Sequence, residues 1–500
     1  MASGDRLTRI LWGTTKGVAR ALGYGLAGGF VVLLILFVRQ LESRPDLKVW
    51  HKIEHDAEFT AASSVQDFEE YFAIEDRLFA QLDEEVYDQI EPEDRRLINR
   101  YHRGSLADPG RWPTNWNRTF ELATEDPRVG VLLVHGMSDS PYSMRSLGER
   151  LHAEGAWVVG LRVPGHGTAP SGLLDVRWQD MAAAVELAMN HLRSSVGQQP
   201  LYIVGYSNGG ALAVHYALTS LEKASLPAAQ GLVLLSPEIG LTKIAALAIW
   251  QERLGRLLGL RKLAWNSILP EYDPYKYNSF TVNAAVQARL LTVEIQEQIT
   301  RYESSGELTR LPPILAFQSV VDATVTAPAL VEGLFQRLPA RGHEMVLFDI
   351  NRTAEIEHVL NGNPTEWIDR LLRDTITAFR VTALTNEDEE SERVVSLSRE
   401  AGKAVVVTCP TDLVWPKGLF SLSHVALPFP PDDPLYGGPD AGESPGIQLG
   451  NVSLRGERNV LQIGPAAMLR LRWNPFHSYL EQRALEFTGL SPLPQGACGN

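Results

Sequence analysis

The chain has 500 residues, 44% of them hydrophobic, with two cysteines and a formal charge of −14. That apolar content can bury one large domain plus accessories, and the acidic balance argues against nucleic acid as a partner. Cys409 and Cys498 neither demand nor exclude an oxidising compartment, and a disulfide between them is not expected.

Residues 1–20 form a short basic tail. Between Arg20 and Arg39 the chain is uncharged and ends in Phe30-Val31-Val32-Leu33-Leu34-Ile35-Leu36-Phe37-Val38. About eighteen residues at 1.5 Å each span roughly 27 Å, enough for a hydrocarbon core. The glycines at 23, 25, 28 and 29 are of a kind common in membrane helices. No small-x-small cleavage site follows, so 21–38 is expected to be an uncleaved transmembrane signal anchor. Arg6, Arg9, Lys16 and Arg20 precede it and Arg39, Arg44, Lys48 and Lys52 follow, so the positive charges tie. A short basic tail is awkward to translocate, which favours a folded domain on the outer, periplasmic or extracytoplasmic side. Residues 39–115 read as a helical stalk or N-terminal cover, acidic, with Phe68, Tyr71, Phe72, Leu78, Leu82 and Val86 on helix faces.

From residue 116 short apolar strands alternate with amphipathic helices. Val129–Val134 is a buried strand that ends in His135-Gly136-Met137. A helix follows, with Ser140 as N-cap, Pro141 at its first position and Met144, Leu147 and Leu151 on its apolar face. Ala156–Leu161 is the next strand, and a helix around Met181–Leu192 precedes the run Leu201-Tyr202-Ile203-Val204. That run leads directly into Gly205-Tyr206-Ser207-Asn208-Gly209 and then into Gly210-Ala211-Leu212-Ala213-Val214. A strand, a turn with glycine on both sides of a serine, and a helix make a nucleophile elbow. Acyl transfer through a serine needs two N–H groups for the oxyanion. The Asn208 amide would supply one and the Met137 amide the other. Gly231–Ser236, Ile314–Phe317 and Met345–Phe348 continue the strand series. The pattern predicts an α/β fold with a mostly parallel sheet and helices on both faces.

His135-Gly136-Met137-Ser138-Asp139-Ser140-Pro141-Tyr142-Ser143, Arg162-Val163-Pro164-Gly165-His166-Gly167-Thr168 and Gly205-Tyr206-Ser207-Asn208-Gly209 resemble the α/β-hydrolase superfamily. The chain is most similar to its carboxylesterase, monoacylglycerol lipase and serine-aminopeptidase-like branch. The resemblance is close from about Arg118 to Val325, looser to the C-terminus, and absent from the first hundred or so residues. It implies a serine hydrolase acting on an ester or, as an alternative, an amide, without metal or organic cofactor. It also implies a hydrolase domain over 116–490, with a cap insertion at 238–311. There Trp250, Leu254, Leu257, Leu258 and Trp265 either line an acyl channel or pack on the core.

The superfamily orders its triad as serine, acid, histidine. Asp322, in the turn after Ile314–Phe317 and followed three residues on by Val325, resembles the acid position. Four histidines lie beyond it. His343 precedes its strand and so sits at the wrong end of the sheet. His477 reads as a surface residue of a helix starting near Pro475. His358 stands at the ordinary distance, before a helix around Trp367–Phe379. His424 lies in a proline-rich, loop-like stretch similar to the segment around the base in membrane-attached relatives. It requires a further insertion at about 380–415, which includes the acidic run Glu387-Asp388-Glu389-Glu390. His424 is preferred to His358 as the base. His166 is expected to brace its loop and not to transfer protons. The chain has no convincing metal spacing, Walker loop or strand-linked G-x-G-x-x-G. Gly437–Gly446 reads as a loop before short C-terminal strands.

These residues predict a membrane-anchored serine hydrolase of hydrophobic or lipidic esters. The alternatives are an aminopeptidase-like amidase and a hydrolase fold kept as a binding or scaffolding module. The last would gain if neither His424 nor His358 reached Ser207.

Overall fold

The computed structural model describes residues 24–26, 28–29, 31–32, 35–240, 260–354, 362–439, 441–450, 469–492 and 498. His358, Trp250, Leu254, Leu257, Leu258, the basic tail and most of the region of the expected C-terminal strands lie outside them.

The central strands are β1 (Phe120–Leu122), β2 (Val129–Val134), β3 (Ala156–Leu161), β4 (Leu201–Tyr206) and β5 (Gly231–Leu235). A two-stranded ribbon, β6 (Trp265–Ser267) and β7 (Phe280–Thr281), lies between them and β8 (Ile314–Ser319) and β9 (Glu344–Phe348). The series closes with β10 (Arg380–Asn386), β11 (Arg393–Arg399) and β12 (Val406–Val414). Ten of these form one sheet in the order β1-β3-β2-β4-β5-β8-β9-β10-β11-β12. Every neighbouring pair from β3 to β10 is parallel, and β1, β11 and β12 join antiparallel. The mostly parallel sheet follows from strands that are largely apolar and buried at nearly every position, and therefore need cover on both faces.

Alternation along the strands feeds two cores. Leu132, Val134 and Ile203 face α3 (Trp178–Val196), α4 (Asn208–Glu222) and α5 (Val282–Ser305). Val131, Leu133 and Val204 face α2 (Tyr142–Ala153) and α8 (His477–Phe487). The N-terminal α1 (Phe68–Leu82), followed by a π-helical turn at Asp83–Tyr87, packs Phe68, Tyr71, Ile74 and Leu78 into the first of these cores. The remaining helices, α6 (Ala327–Gly333) and α7 (Pro364–Asp369), are short.

Three sequence expectations change. The helix expected to reach Phe379 ends in a π-helical turn at Arg370–Asp374, because the chain must return to β10 at Arg380. The insertion at 380–415 is three strands that widen the main sheet, with the acidic run forming the β10–β11 turn. Cys409 on β12 and Cys498 are joined by a disulfide. Their separation of 89 residues hid that pairing, since only the return of the tail to the last strand brings them together.

The expected membrane span is described in part. Tyr24, Leu26, Val31, Val32, Ile35, Leu36, Phe37 and Val38 are exposed on helical stretches. Among the described residues no helix is long and apolar enough to cross a membrane.

The cysteine pairing is directly testable. Titration of the unfolded but unreduced protein with a thiol reagent should find no free thiol, and reduction should release both cysteines.

Candidate active site

Gly205 and Gly209 are set by crowding. A Cβ on Gly205 would lie 2.4 Å from the Gly209 carbonyl oxygen, and one on Gly209 would lie 2.1 Å from that of Val134. Between them Ser207 takes φ +53° and ψ −117°, a conformation that costs a non-glycine residue about 1–3 kcal/mol. Neighbouring backbone holds it there. The Ser207 N–H donates to the Leu235 carbonyl at 2.9 Å, and the N–H groups of Gly210 and Glu238 donate to the Ser207 carbonyl, each at 3.0 Å. The hydroxyl thus stands where β4 meets the N-terminus of α4, whose partial positive charge favours an anion.

Ser207 Oγ lies 3.1 Å from His424 Nε2, and His424 Nδ1 lies 2.7 Å from Asp322 Oδ2. All three residues are buried. A carboxylate only accepts, so Nδ1 carries the ring proton and Nε2 is left to accept from the serine hydroxyl. Burial pushes the Asp322 carboxyl up. The hydrogen bond and charge of His424, with the N–H groups of Val325 and Thr324, outweigh burial and hold it below the usual carboxylate range. Gln318, which the sequence did not mark, donates from Nε2 to Asp322 Oδ2 at 3.1 Å and to the Val325 carbonyl at 2.8 Å. It donates to the same oxygen that faces the imidazole, while the Thr324 and Val325 N–H groups hold Oδ1.

The loop after β12 carries His424 back across the carboxyl ends of the strands. The Asn351 N–H donates to the Phe420 carbonyl, Ser319 Oγ to that of Leu422, and the Tyr206 hydroxyl to that of His424. The extra strands lengthen the path in sequence but leave its end point beside β4 and β8. His343 is buried at the opposite end of the sheet, accepting from the Ile314 N–H. His477, read as a surface residue, is buried, with Nε2 3.1 Å from the Pro428 carbonyl, because α8 covers the second core.

Met137 and Asn208 follow the β2 and β4 strand ends, and neither amide donates a backbone hydrogen bond among the described residues. A cavity of about 420 Å³ opens beside Ser207 and His424. Met137, Phe280, Ala288 and Val425 form an apolar part of the wall, and Asp139, Glu238, Lys276, Arg289, Thr292 and Arg470 make the rest polar and largely charged. Burial pushes the Glu238 carboxyl up, with His424 pulling it down and Asp322 raising it. Trp265 is not part of this wall; it is buried with its ring edge against His51. Glu91, Glu93 and Asp94 bring carboxylates within 4.8 Å of one another, but Lys48 pairs with two of them.

Residues 125–349 match the profile of the family described as Hydrolase_4, serine aminopeptidase, S33. This segment, with the topology above, has an α/β-hydrolase fold. The chain is 37% identical over 93 residues to a thermostable monoacylglycerol lipase of Bacillus sp. (strain H-257), covering 19% of this chain and 36% of that protein. It is 29% identical over 115 residues to a putative 2-succinyl-6-hydroxy-2,4-cyclohexadiene-1-carboxylate synthase of Haemophilus influenzae, covering 23% and 42%. The matches therefore span well under half of each curated relative. Among solved structures, a monoacylglycerol lipase of Paleococcus ferrophilus aligns at 18% identity and a TM-score of 0.35, over 46% of this chain and 88% of that one. A structure of the metagenome-derived lipolytic enzymes LipS and LipT aligns at 21% identity and the same TM-score, over 46% and 87%.

The depressed Asp322 carboxyl has a pH consequence. Its contribution to stability is complete above the unfolded value, about 3.9, and is lost as pH falls through the folded value. Asp322→Asn should therefore lower the thermal midpoint at neutral pH, and the gap to wild type should narrow in acid. Thermal unfolding between pH 7 and pH 3 measures it.

Proposed function

We propose that this α/β hydrolase is a serine hydrolase that cleaves carboxylic esters through an acyl-enzyme. The observation that carries the reading is the unbroken chain of contacts from Ser207 through His424 to Asp322. His424 Nε2 takes the Ser207 proton as Oγ attacks the acyl carbonyl, and Asp322 stabilises the imidazolium. The Met137 and Asn208 amides receive the oxyanion. His424 then protonates the departing alcohol, and a water deprotonated by the same ring releases the acid.

The substrate we infer is a lipidic ester. The matched curated relative named as a monoacylglycerol lipase supports that class, as does the apolar part of the cavity wall beside Ser207, formed by Met137, Phe280, Ala288 and Val425 among charged groups. The ground for a scaffolding role, a histidine out of reach, is absent. We further propose that the run 21–38 anchors the chain to a membrane, with the hydrolase on the extracytoplasmic side. The exposed apolar side chains between Tyr24 and Val38 favour a lipid environment. The Cys409–Cys498 disulfide favours an oxidising compartment.

Ser207→Ala should abolish both fluorophosphonate labelling and hydrolysis of short p-nitrophenyl esters by detergent-solubilised protein. His424→Ala should lower kcat by at least about 10³. A folded wild type that neither labels nor hydrolyses any ester would sink the reading.

A further inference from the structure

Val163 N–H donates to His135 Nε2 at 3.0 Å, so the proton of that ring is on Nδ1, which lies 2.9 Å from the Gly136 carbonyl oxygen. This carbonyl belongs to the same peptide unit as the Met137 N–H. The unit is planar and trans, so holding the carbonyl fixes the direction in which the N–H points. The loop is also tight against the nucleophile: a Cβ on Gly136 would lie 3.1 Å from Ser207 Cβ. His135 is fully buried, and burial, the largest influence, keeps its ring neutral by pushing its pKa well below the usual value. Both of its hydrogen bonds therefore persist across the pH range in which the protein would work.

Val163 is held in turn from outside the family segment. The preceding Arg162 is fully buried. Its guanidinium pairs with both oxygens of Glu58, at 2.9 and 3.1 Å, and with Glu75 Oε1 at 3.1 Å. Glu58 Oε2 also accepts from the Gly165 N–H at 2.9 Å. The Tyr71 hydroxyl donates to the Arg162 carbonyl at 2.6 Å, and the Arg162 N–H donates to Thr119 Oγ1 at 2.9 Å. Glu58, Tyr71, Glu75 and Thr119 all precede residue 125, where the family match begins.

We propose that this N-terminal cover sets the oxyanion donor, with Glu58 as a positioning residue that acts through Arg162, Val163 and His135 on the Gly136–Met137 peptide. The inference rests on the esterase reading for its kinetic consequence but not for its structural one. A bidentate ion pair on a buried guanidinium is among the strongest restraints a loop can have. Removing one partner leaves Arg162 partly uncompensated, and the loop must shift to find another. Because an oxyanion donor acts in the transition state, displacing it lowers kcat and leaves KM nearly unchanged.

The test compares Glu58→Gln with wild type in the full chain by two readouts. The first is the His135 Nδ1–H resonance in histidine-labelled protein, which needs no turnover; the second is ester hydrolysis resolved into kcat and KM. The proposal expects the resonance to shift or broaden. It also expects kcat to fall about tenfold at constant KM, part of the 10²–10³ that loss of a whole donor costs. Val86→Ala, a packing change in the same cover but in a separate apolar cluster, should lower the thermal midpoint without either effect. Should Glu58→Gln fail to fold, Tyr71→Phe removes one restraint on Arg162 more gently and should shift the resonance the same way. An unchanged His135 resonance, or an equal kcat loss in Val86→Ala, overturns the proposal. A wild type without esterase activity would sink the esterase reading alone, and the resonance would still decide this one.

Discussion

The turn at Ser207 is the constraint on which the rest of the structure depends. β4, α4 and the end of β2 converge so closely there that Gly205 and Gly209 have no room for a Cβ, and Ser207 adopts a positive φ. Such strain persists only where surrounding structure over-determines it. The hydrogen bonds from Gly210 and Glu238 to the Ser207 carbonyl, and from Ser207 to Leu235, do that here. A loosened core around β4 would release the turn, so packing stability and the geometry of Ser207 are one property.

The widened sheet shows how a long insertion can leave a site intact. β10 continues the parallel register of β9, and β11 and β12 add two antiparallel strands at the far edge. The chain must then cross back over the strand ends to deliver His424. Contacts from Asn351, Ser319 and Tyr206 fix that return path to strands already in place. Because the extra strands hydrogen-bond outward from β9, they displace nothing between β4 and β8.

Electrostatics divides along similar lines. Asp322 is buried yet held ionised by groups aimed at it, whereas burial raises Glu238 in the cavity wall. Arg162, fully buried, is tolerated because Glu58 accepts from its Nη1 and Nη2 and Glu75 from its Nε, on separate edges of the guanidinium. The N-terminal cover is therefore tied to the loop beside the site by charge as well as by the packing of Tyr71 and Leu78.

The central strands, the serine turn and the helix α5 were legible in the sequence because each is a local pattern: an apolar run, glycines flanking a serine, a helical period. Asp322 was readable from its place after β8. His424 was readable only as a choice among four histidines, since the distance from Asp322 gave no sign that three strands would consume it. Glu58 had no signal and Arg162 only its place in a loop motif, because a charged residue looks the same whether solvated or buried against a partner a hundred positions away. The disulfide was hidden for the same reason. The sequence by itself determined the parallel sheet and the serine turn, whose causes lie within a few residues of each other. Only the tertiary structure decided which histidine faces Ser207, that the two cysteines meet and which carboxylates hold Arg162. Those depend on where distant segments come to rest.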